Sequence, residues 1–339
     1  MTQIPRPEHP QPQMKREHWK NLNGEWDFSF DFGCSGIDQK WQEGKTDWEK
    51  KILVPFCPES DLSGIGYKDF IPGVWYHRTI TLTGEELKGD LLLHFGAVDY
   101  DARVWINGVE AGRHQGGYVS FTFNITKLVK EGENDITLFA ADDVRSGKQP
   151  KGKQSHFFYS IGCDYTRTTG IWQTVWLEWV PESYIEKVQY YPNLAEATLG
   201  IKAVVKGQGT LEAKAFYGGE PCGSVSAKSE GGTVTMTLPL SRLEKWEPGH
   251  GRLYDLTLTY GEDKVESYFG MREVRLDGEK FLINDKSVFQ RLVLDQGFYP
   301  DGIYTAPTEE ALVKDVELSM AAGFNGARLH QKVFEPLFL

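Results

Sequence analysis

The sequence predicts a mainly β protein in which two consecutive β-sandwich domains are followed by one parallel βαβ unit. Three observations support this. Short segments of alternating apolar and polar residues recur up to Glu273, helical periodicity is absent before residue 180, and the pattern then changes to strand, helix, strand. A length of 339 residues also favours two or three domains over one. We therefore predict domains at residues 1–181, 182–273 and 274–339.

The first predicted sandwich is indicated by alternation and by one hairpin signal. Every second residue is apolar in residues 119–125, and the same alternation recurs in residues 136–140 and 175–179. Asn107 and Gly108 lie between two strand-like segments, and both residue types tolerate the positive φ of a type I′ turn. These features predict an antiparallel sandwich.

A long segment without periodicity, residues 142–169, interrupts this pattern. Loops of such length inside compact domains are uncommon and are often functional. A disordered surface loop is the alternative, and the residues by themselves leave both interpretations open. The basic residues between Arg145 and Lys153 are expected to be solvated.

The second predicted sandwich occupies residues 182–273. Short strands with turn signals between them, over about 90 residues, suit an immunoglobulin-like fold, although the Cys…Trp…Cys pattern of true immunoglobulins is missing. Its inward-facing residues are expected to be Ile201, Ala203, Val205, Leu211, Ala213, Ala215, Val234, Met236, Leu238, Leu256, Leu258 and Tyr260.

The pattern after Glu273 predicts a βαβ unit. Residues 287–294 and 324–329 read as strands, and residues 309–322 read as a helix that Thr308 caps and Gly323 ends. The first of these strands reads as largely buried. Because parallel strands are normally buried on both faces and the chain supplies no neighbouring strands, we expect the sandwiches or, preferably, a second copy of the chain to cover the unit. The helix has an apolar stripe at helical spacing, formed by Leu312, Val313, Val316 and Met320.

Charge and hydropathy exclude some partners. The formal net charge of −11 argues against a nucleic-acid partner, because phosphate backbones require clustered Lys and Arg. No segment approaches the roughly 18 apolar residues of a membrane-spanning helix, so no membrane partner is expected. Residues 1–14 contain four prolines and no apolar core of a signal peptide, which favours a cytoplasmic location.

The cysteines give no indication of a metal site. They are widely spaced and lack the CxxC or Cys/His spacing of metal ligands. We expect four buried free thiols, no metal and no cofactor. The residues concerned are Cys34, Cys57, Cys163 and Cys222.

Several motifs in their order resemble glycoside hydrolase family 2, the group of β-galactosidases, β-glucuronidases and β-mannosidases. Each motif is weak alone, but the ordered set covers nearly the whole chain. The matching segments are residues 22–26 (LNGEW), 74–78 (VWYHR), 95–125 (FGAVDYDARVWINGVEAGRHQGGYVSFTFNI), 169–177 (TGIWQTVWL) and 269–272 (FGMR).

The resemblance implies a galactose-binding-like jelly-roll sandwich, an immunoglobulin-like sandwich and then a (β/α)8 barrel. The family uses two Glu residues in a retaining mechanism, with carboxyl groups about 5–5.5 Å apart. A barrel needs roughly 250 residues, whereas residues 274–339 suffice for two of its eight strands. The catalytic pair is thus expected beyond Leu339, and no residue of this chain is assigned a catalytic role.

The resemblance also implies substrate-binding residues after the two predicted barrel strands. Arg328 matches the family's arginine that faces the nucleophile, and a guanidinium there can orient a carboxylate. His330 and Gln331 follow it, while Asp295 and Gln296 follow the first strand at the same mouth. A packed histidine without a binding role is the alternative for His330.

Two of the segments that contain these residues depart from the pattern of well-known family members. Well-known members have Ser-His-Tyr where this chain has His330-Gln331-Lys332, and Arg-His where it has Asp295-Gln296. These departures weaken the expectation that the sugar is galactose or glucuronic acid.

The long segment acquires a role from the same resemblance. Residues 150–154 and 164–167 resemble family segments through which the first domain reaches the barrel mouth. Asp164 or Arg167 is a candidate for hydrogen bonding a sugar hydroxyl, with a turn role as the alternative for Asp164. Asp99 and Asp101 lie in a predicted strand, where structural ion pairs or hydrogen bonds are expected.

Two functions follow as hypotheses. The first is the N-terminal portion of a retaining glycosidase that hydrolyses terminal β-glycosidic bonds, with a β-glycoside as partner and no activity of its own. The second is a non-catalytic carbohydrate-binding or assembly module. Either form is a possible homo-oligomer.

Overall fold

The structure, a computed structural model, describes residues 4–339 and is mainly β. Its first sandwich contains twelve strands: β1 (Trp19–Asn21), β2 (Gly24–Phe30), β3 (Lys50–Val54), β4 (Gly73–Leu82), β5 (Asp90–Phe95), β6 (Val98–Asp99), β7 (Asp101–Ile106), β8 (Val109–Gln115), β9 (Phe121–Asn124), β10 (Gly132–Ala141), β11 (Gly170–Ile171) and β12 (Val175–Val180). Their antiparallel sheets have the orders β1-β12-β5-β9, β3-β2-β4-β10-β7-β8 and β11-β6.

The inner faces of the larger sheets form the main core of the first sandwich. Residues that alternate along β4, β7 and β10 are buried there because successive side chains of a strand point to opposite faces. The β7–β8 hairpin turns at Asn107 (φ 52°) and Gly108 (φ 79°), which confirms the predicted turn chemistry. Strand β9 is shorter than predicted, and Val119 is exposed in the segment before it.

The second sandwich has seven strands: β13 (Tyr184–Asn193), β14 (Thr198–Lys206), β15 (Gly209–Tyr217), β16 (Glu220–Ser229), β17 (Gly232–Pro239), β18 (Tyr254–Tyr260) and β19 (Asp263–Phe269). The two sheets have the orders β13-β14-β17 and β16-β15-β18-β19. All of the inward-facing residues predicted from the alternation are buried in one core, so the strand faces were predicted correctly.

The C-terminal segment, residues 274–339, contains a small antiparallel sheet and then the βαβ unit. The sheet consists of β20 (Val274–Asp277), β21 (Lys280–Ile283) and β22 (Lys286–Ser287), and the unit of β23 (Leu292–Asp295), helix α1 (Glu309–Ala321) and β24 (Gly326–Leu329). Strands β23 and β24 pair in parallel, as predicted. The Thr308 side chain accepts a hydrogen bond from Ala311 N, and Gly323 follows the helix with φ 88°.

Two predictions about the C-terminal segment are wrong. The first strand is shorter than residues 287–294, because Ser287 pairs in the small sheet instead. Burial is also less than expected: Leu294 is 51% exposed and Met320 is 62% exposed, while Leu312 is buried. The reason is that residues 4–339 provide no second layer over this face of the unit.

Four single-turn 3-10 helices complete the secondary structure of the described residues: Trp41–Glu43, Asp61–Ser63, Glu85–Leu87 and Pro336–Phe338. No helix between residues 4 and 339 is long and apolar enough to cross a membrane.

The predicted burial of all four thiols is also wrong. Cys57 and Cys222 are buried, whereas Cys34 and Cys163 are exposed because both lie in surface turns outside the strands. Among residues 4–339, no group of three or more His, Cys, Asp and Glu side chains is arranged to hold a metal ion.

An N-terminal strap, residues 4–18, joins the two sandwiches. The buried Arg16 guanidinium contacts Glu178 of β12 at 2.9 Å and Asp263 of β19 at 2.9 Å. It also donates to the backbone carbonyl of Ile185 at 2.6 Å. One arginine therefore bridges both sandwiches.

The same strap reaches the C-terminal segment. Buried Arg6 forms an ion pair of 2.7 Å with Glu335 and donates to the carbonyl of Ala306 at 3.2 Å. The strap therefore contacts all three parts of the chain.

Candidate functional site

The candidate site lies at the carboxyl ends of β23 and β24, where the predicted residues meet. Asp295 is the last residue of β23, and its carbonyl accepts a hydrogen bond of 2.8 Å from His330 N, just after β24. The Asp295 carboxylate accepts from Gly297 N at 2.7 Å, and Gln296 lies between them, half-buried. Parallel pairing thus brings both predicted groups to one edge.

Arg328 and His330 are in direct contact. The Arg328 guanidinium donates to Nδ1 of His330 at 2.8 Å, which requires an unprotonated acceptor nitrogen. Desolvation and the positive charges of Arg328 and Lys153 lower the pKa of His330. His330 is therefore held as a neutral ring that can accept or donate a hydrogen bond.

Gln331 brings the long loop, residues 142–169, to this edge. A Cβ at Gly152 would lie 2.5 Å from the Gln331 carbonyl oxygen, and Gly152 has φ +56°. Only glycine fits this close approach with this backbone conformation. The Gln331 side chain is exposed at this edge.

The second limb of the long loop contacts the segment after β23. The Tyr165 and Phe298 rings have centroids 4.4 Å apart. Asp164 lies beside them with its carboxylate 3.7 Å from Lys151 Nζ, and its backbone closes a turn with Ile161. Asp164 thus has the turn role given above as the alternative, and its charged side chain stays on the loop at the site.

Arg167 is not available to a sugar, contrary to one expectation. Its side chain is 1% exposed, and its guanidinium donates to backbone carbonyls, including those of Ser155 at 3.4 Å and Phe158 at 3.3 Å. The guanidinium also lies 4.5 Å from the Phe70 ring centroid. Arg167 therefore shapes the loop.

Lys332 is a site residue that the sequence did not identify. Its Nζ lies 4.6 Å from the Tyr304 ring centroid, 4.7 Å from that of Phe334 and 5.3 Å from that of Trp172. It also donates to the Tyr304 carbonyl at 3.2 Å. Burial lowers the pKa of Lys332 to about 8. No sequence signal indicated this cage, because Trp172 and Tyr304 come from distant segments.

A pair of tyrosines lies behind the lysine. The hydroxyl oxygens of Tyr118 and Tyr304 are 3.4 Å apart. Burial raises the pKa of Tyr118 to about 12, so both hydroxyls stay protonated. Trp172 Nε1 donates to the Gly117 carbonyl at 2.7 Å, which fixes the ring beside them.

Two buried carboxyl groups hold the beginning of the long loop. The Asp99 carboxyl accepts from Gln154 Nε2 at 2.7 Å, and the Asp142 carboxyl accepts from Gln149 Nε2 at 2.6 Å. Burial raises the pKa of Asp99 well above its usual range and that of Asp142 to about 6. The structural role expected for Asp99 agrees with this geometry.

A third buried carboxyl group holds the end of the loop. The Glu59 side chain accepts from Thr169 N at 3.1 Å, and the Thr169 hydroxyl donates to Asp142 at 3.1 Å. Burial raises the pKa of Glu59 to about 8. Asp101, by contrast, pairs with Arg113 at the surface, the ion pair expected of it.

The carboxyl ends of β23 and β24, together with the loop residues that meet them, are called the mouth below. The mouth combines carboxylate, guanidinium, imidazole, amide and amine groups within a few residues of the two strand ends. Such a set of donors and acceptors suits a ligand rich in hydroxyl groups, because each hydroxyl both donates and accepts. The aromatic rings around Lys332 add an apolar wall to one side.

Comparison with known proteins identifies both sandwiches. Residues 19–181 match the family model "Glycosyl hydrolases family 2, sugar binding domain", and residues 183–272 match "Glycosyl hydrolases family 2". A β-glucuronidase of Felis catus is 27% identical over 326 residues, covering 83% of this chain and 48% of that protein. A β-galactosidase of Lactococcus lactis is 25% identical over 341 residues, covering 91% of this chain and 32% of that protein.

Solved structures share the fold. A β-glucuronidase from Ruminococcus gnavus, in complex with C6-substituted uronic isofagomine, superposes with a TM-score of 0.79 at 20% identity, covering 94% of this chain and 57% of that one. A β-glucuronidase from an uncultured Clostridium gives 0.78 at 23% identity, covering 96% and 57%. The chain spans about half the length of the curated β-glucuronidases it matches.

Proposed function

Because the chain belongs to glycoside hydrolase family 2, we propose that it forms the N-terminal portion of a retaining glycosidase acting on terminal β-glycosidic bonds. One observation carries the proposal: the long loop of the first sandwich meets the carboxyl ends of β23 and β24. Active sites of (β/α)8 barrels form at that end of the strands. The βαβ unit is, in this proposal, the beginning of such a barrel.

The proposed roles of the site residues follow from their chemistry. Arg328 orients a carboxylate, and its contact with His330 keeps that ring neutral for a sugar hydroxyl. Gln331, Asp295 and Gln296 offer further hydrogen bonds at the same edge.

Asp164 and Lys332 complete the proposed contacts. Asp164 reaches the mouth on the long loop, and Lys332 supports the wall formed by Trp172 and Tyr304. The two carboxyl groups of the retaining mechanism, one attacking the anomeric carbon and the other protonating the leaving oxygen, are assigned to no residue of this chain.

The sugar is proposed from charge. Around the mouth, four basic groups outnumber the two carboxylates of Asp164 and Asp295. The basic residues are Lys151, Lys153, Arg328 and Lys332. This favours an anionic sugar, and the names of the related β-glucuronidases support the same choice. This choice differs from the sequence analysis, in which the motif departures weakened the expectation of glucuronic acid.

A binding and turnover experiment tests the proposal. The 339-residue chain is titrated calorimetrically with p-nitrophenyl β-glucuronide, β-galactoside and β-mannoside, and release of nitrophenol is followed in parallel. We expect the glucuronide to bind most tightly of the three glycosides, without measurable release of nitrophenol. Arg328→Ala should abolish binding, whereas Arg275→Ala, at an exposed ion pair with Asp285, should not.

Three results would change this conclusion. If no glycoside binds, the site is not a sugar site. If nitrophenol is released at rates normal for glycosidases and the release is lost in Asp295→Asn, then Asp295 is catalytic. Binding that persists in Arg328→Ala would favour a non-catalytic sugar-binding module with its site elsewhere on the sandwich.

A further inference from the structure

The long loop carries several exposed aromatic rings in one turn near its middle. This aromatic tip, residues 156–161, contains Phe157, Phe158 and Tyr159, which are 41%, 65% and 48% exposed. Ile161 is exposed beside them, and the tip carries no carboxylate, lysine or arginine. Exposed apolar side chains on one turn indicate a contact surface more often than chance scatter does.

The tip is held in one shape by buried groups. Arg167, at 1% exposure, donates to the carbonyls of Ser155, Phe157 and Phe158. The Ser155 hydroxyl donates to the Tyr159 carbonyl at 2.9 Å and accepts from Phe157 N at 3.1 Å. A buried guanidinium is costly to desolvate, and here three of its hydrogen bonds fix the backbone that presents the rings.

The rings themselves are arranged for stacking. The Phe157 and Tyr159 rings are nearly parallel, with an interplanar angle of 19° and centroids 5.6 Å apart, and Phe158 meets Tyr159 edge to face at 87°. Flat, parallel, exposed rings present a surface on which another ring can lie.

The tip stands next to the candidate site. Tyr165 N donates to the Lys153 carbonyl and Ser155 N donates to the Tyr165 carbonyl, both at 2.7 Å, so the two limbs pair below the tip. Phe157 is four residues from Lys153, which limits its distance along the chain to about 14 Å. The tip therefore lies no farther than this from the lysine whose charge acts on His330.

From this we propose that the aromatic tip binds the leaving-group side of the glycoside, where it takes an aromatic aglycone. The inference rests on the proposed function, since it requires a sugar at the mouth. The two positions differ in composition: the mouth contains lysine, arginine and carboxylate groups, whereas the tip contains no carboxylate, lysine or arginine. The exposed parts of three rings amount to roughly 300 Å², well below the about 800 Å² per partner of a stable protein interface.

The test compares two glycosides that share a sugar and differ in the leaving group. Kd is measured by calorimetry for p-nitrophenyl and methyl β-glucuronide, and for the corresponding galactosides, with the 339-residue chain. We expect the nitrophenyl compound to bind the unaltered chain more tightly. Phe158→Ala and Tyr159→Ala should remove that advantage, about threefold to tenfold, while leaving the methyl glycoside unchanged.

Phe289→Ala serves as the matched control, because Phe289 is 80% exposed and lies outside the long loop. It should change neither Kd. Equal affinities of both glycosides in the unaltered chain, or tip variants that keep the nitrophenyl advantage, would overturn this inference and leave the proposed function standing. Binding of neither glycoside would overturn both.

Discussion

Glu59 is fully buried where the long loop ends, and its carboxyl group is protonated over an unusually wide pH range. Burial raises its pKa from about 4.5 to about 8. A carboxyl group whose pKa is higher in the folded than in the unfolded protein favours folding when protonated. Its contribution is therefore complete below the unfolded pKa and is lost as pH rises through 8.

This leads to a prediction for Glu59→Gln, which keeps the shape of the protonated acid without its titration. The free energy of unfolding of the unaltered chain should fall by at least about 4 kcal/mol between pH 5 and pH 9, because Glu59 alone accounts for about three pKa units over that range. In Glu59→Gln the fall should be clearly smaller, with the remainder due to Asp99 and Asp142. Urea unfolding at several pH values measures this.

Glu131→Gln provides the control, since Glu131 is an exposed carboxylate. Its pH dependence should equal that of the unaltered chain. If Glu59→Gln also retains the full dependence, Glu59 is ionised in the folded protein at neutral pH.

At the scale of elements, the N-terminal strap depends on one ion network. Arg16 joins Glu178 and Asp263, and Glu178 is also 3.2 Å from His94 Nε2. Although burial opposes its ionisation, contacts with His9, His94 and Arg16 hold the pKa of Glu178 well below its usual range. The Glu178 carboxylate is thus charged, and both acidic side chains depend on the arginine for their contacts.

We predict that Arg16→Leu lowers the free energy of unfolding by about 3 kcal/mol, because it leaves two buried carboxylates without their guanidinium. Arg242→Leu, at the exposed pair with Glu244, should cost clearly less, because solvent screens that pair. Denaturant midpoints compare the two. Equal small losses would mean that the strap does not stabilise the joint between the sandwiches.

For the whole molecule, each sandwich has its own core, and the domain limits stay a prediction that a shortened chain can test. A chain ending at Glu273 should be soluble and unfold cooperatively, although it loses the contact between Arg6 and Glu335. Circular dichroism during thermal unfolding measures this. Aggregation, or a spectrum without β structure, would show that the sandwiches need the C-terminal segment.

The C-terminal segment leads to the last prediction. Leu276, Phe289, Leu294 and Met320 are exposed on it, and a parallel strand pair has unpaired edges. We predict that the 339-residue chain associates with itself and that the chain ending at Glu273 does not. Light scattering gives the masses, and monomeric masses for both chains would contradict the prediction.

Most of the fold was predictable because its signals are local. Alternation assigns each side chain of β14, β15, β17 and β18 to a face whatever lies opposite, and the turn at Asn107 depends only on neighbouring residues. The burial of β23 was predicted wrongly, because burial depends on elements that the periodicity of a segment does not specify.

The candidate site was likewise predictable only in part. The resemblance identified residues that follow β23 and β24, and parallel pairing brings Asp295 and His330 together. The partners of Lys332 and Arg167 could not be predicted, since Lys332 contacts Trp172 and Arg167 contacts Lys68, far away in the chain.

The sequence by itself therefore determined the two sandwiches, the βαβ unit and the family resemblance, because repeated local patterns and ordered motifs encode them. Only the tertiary structure decided that a strap crosses all three parts, that three buried carboxyl groups hold the long loop, and that its aromatic tip is fixed from below. These features depend on contacts between residues as much as 329 positions apart, as in Arg6 and Glu335. Such contacts arise from the packing of whole domains, which no local pattern records.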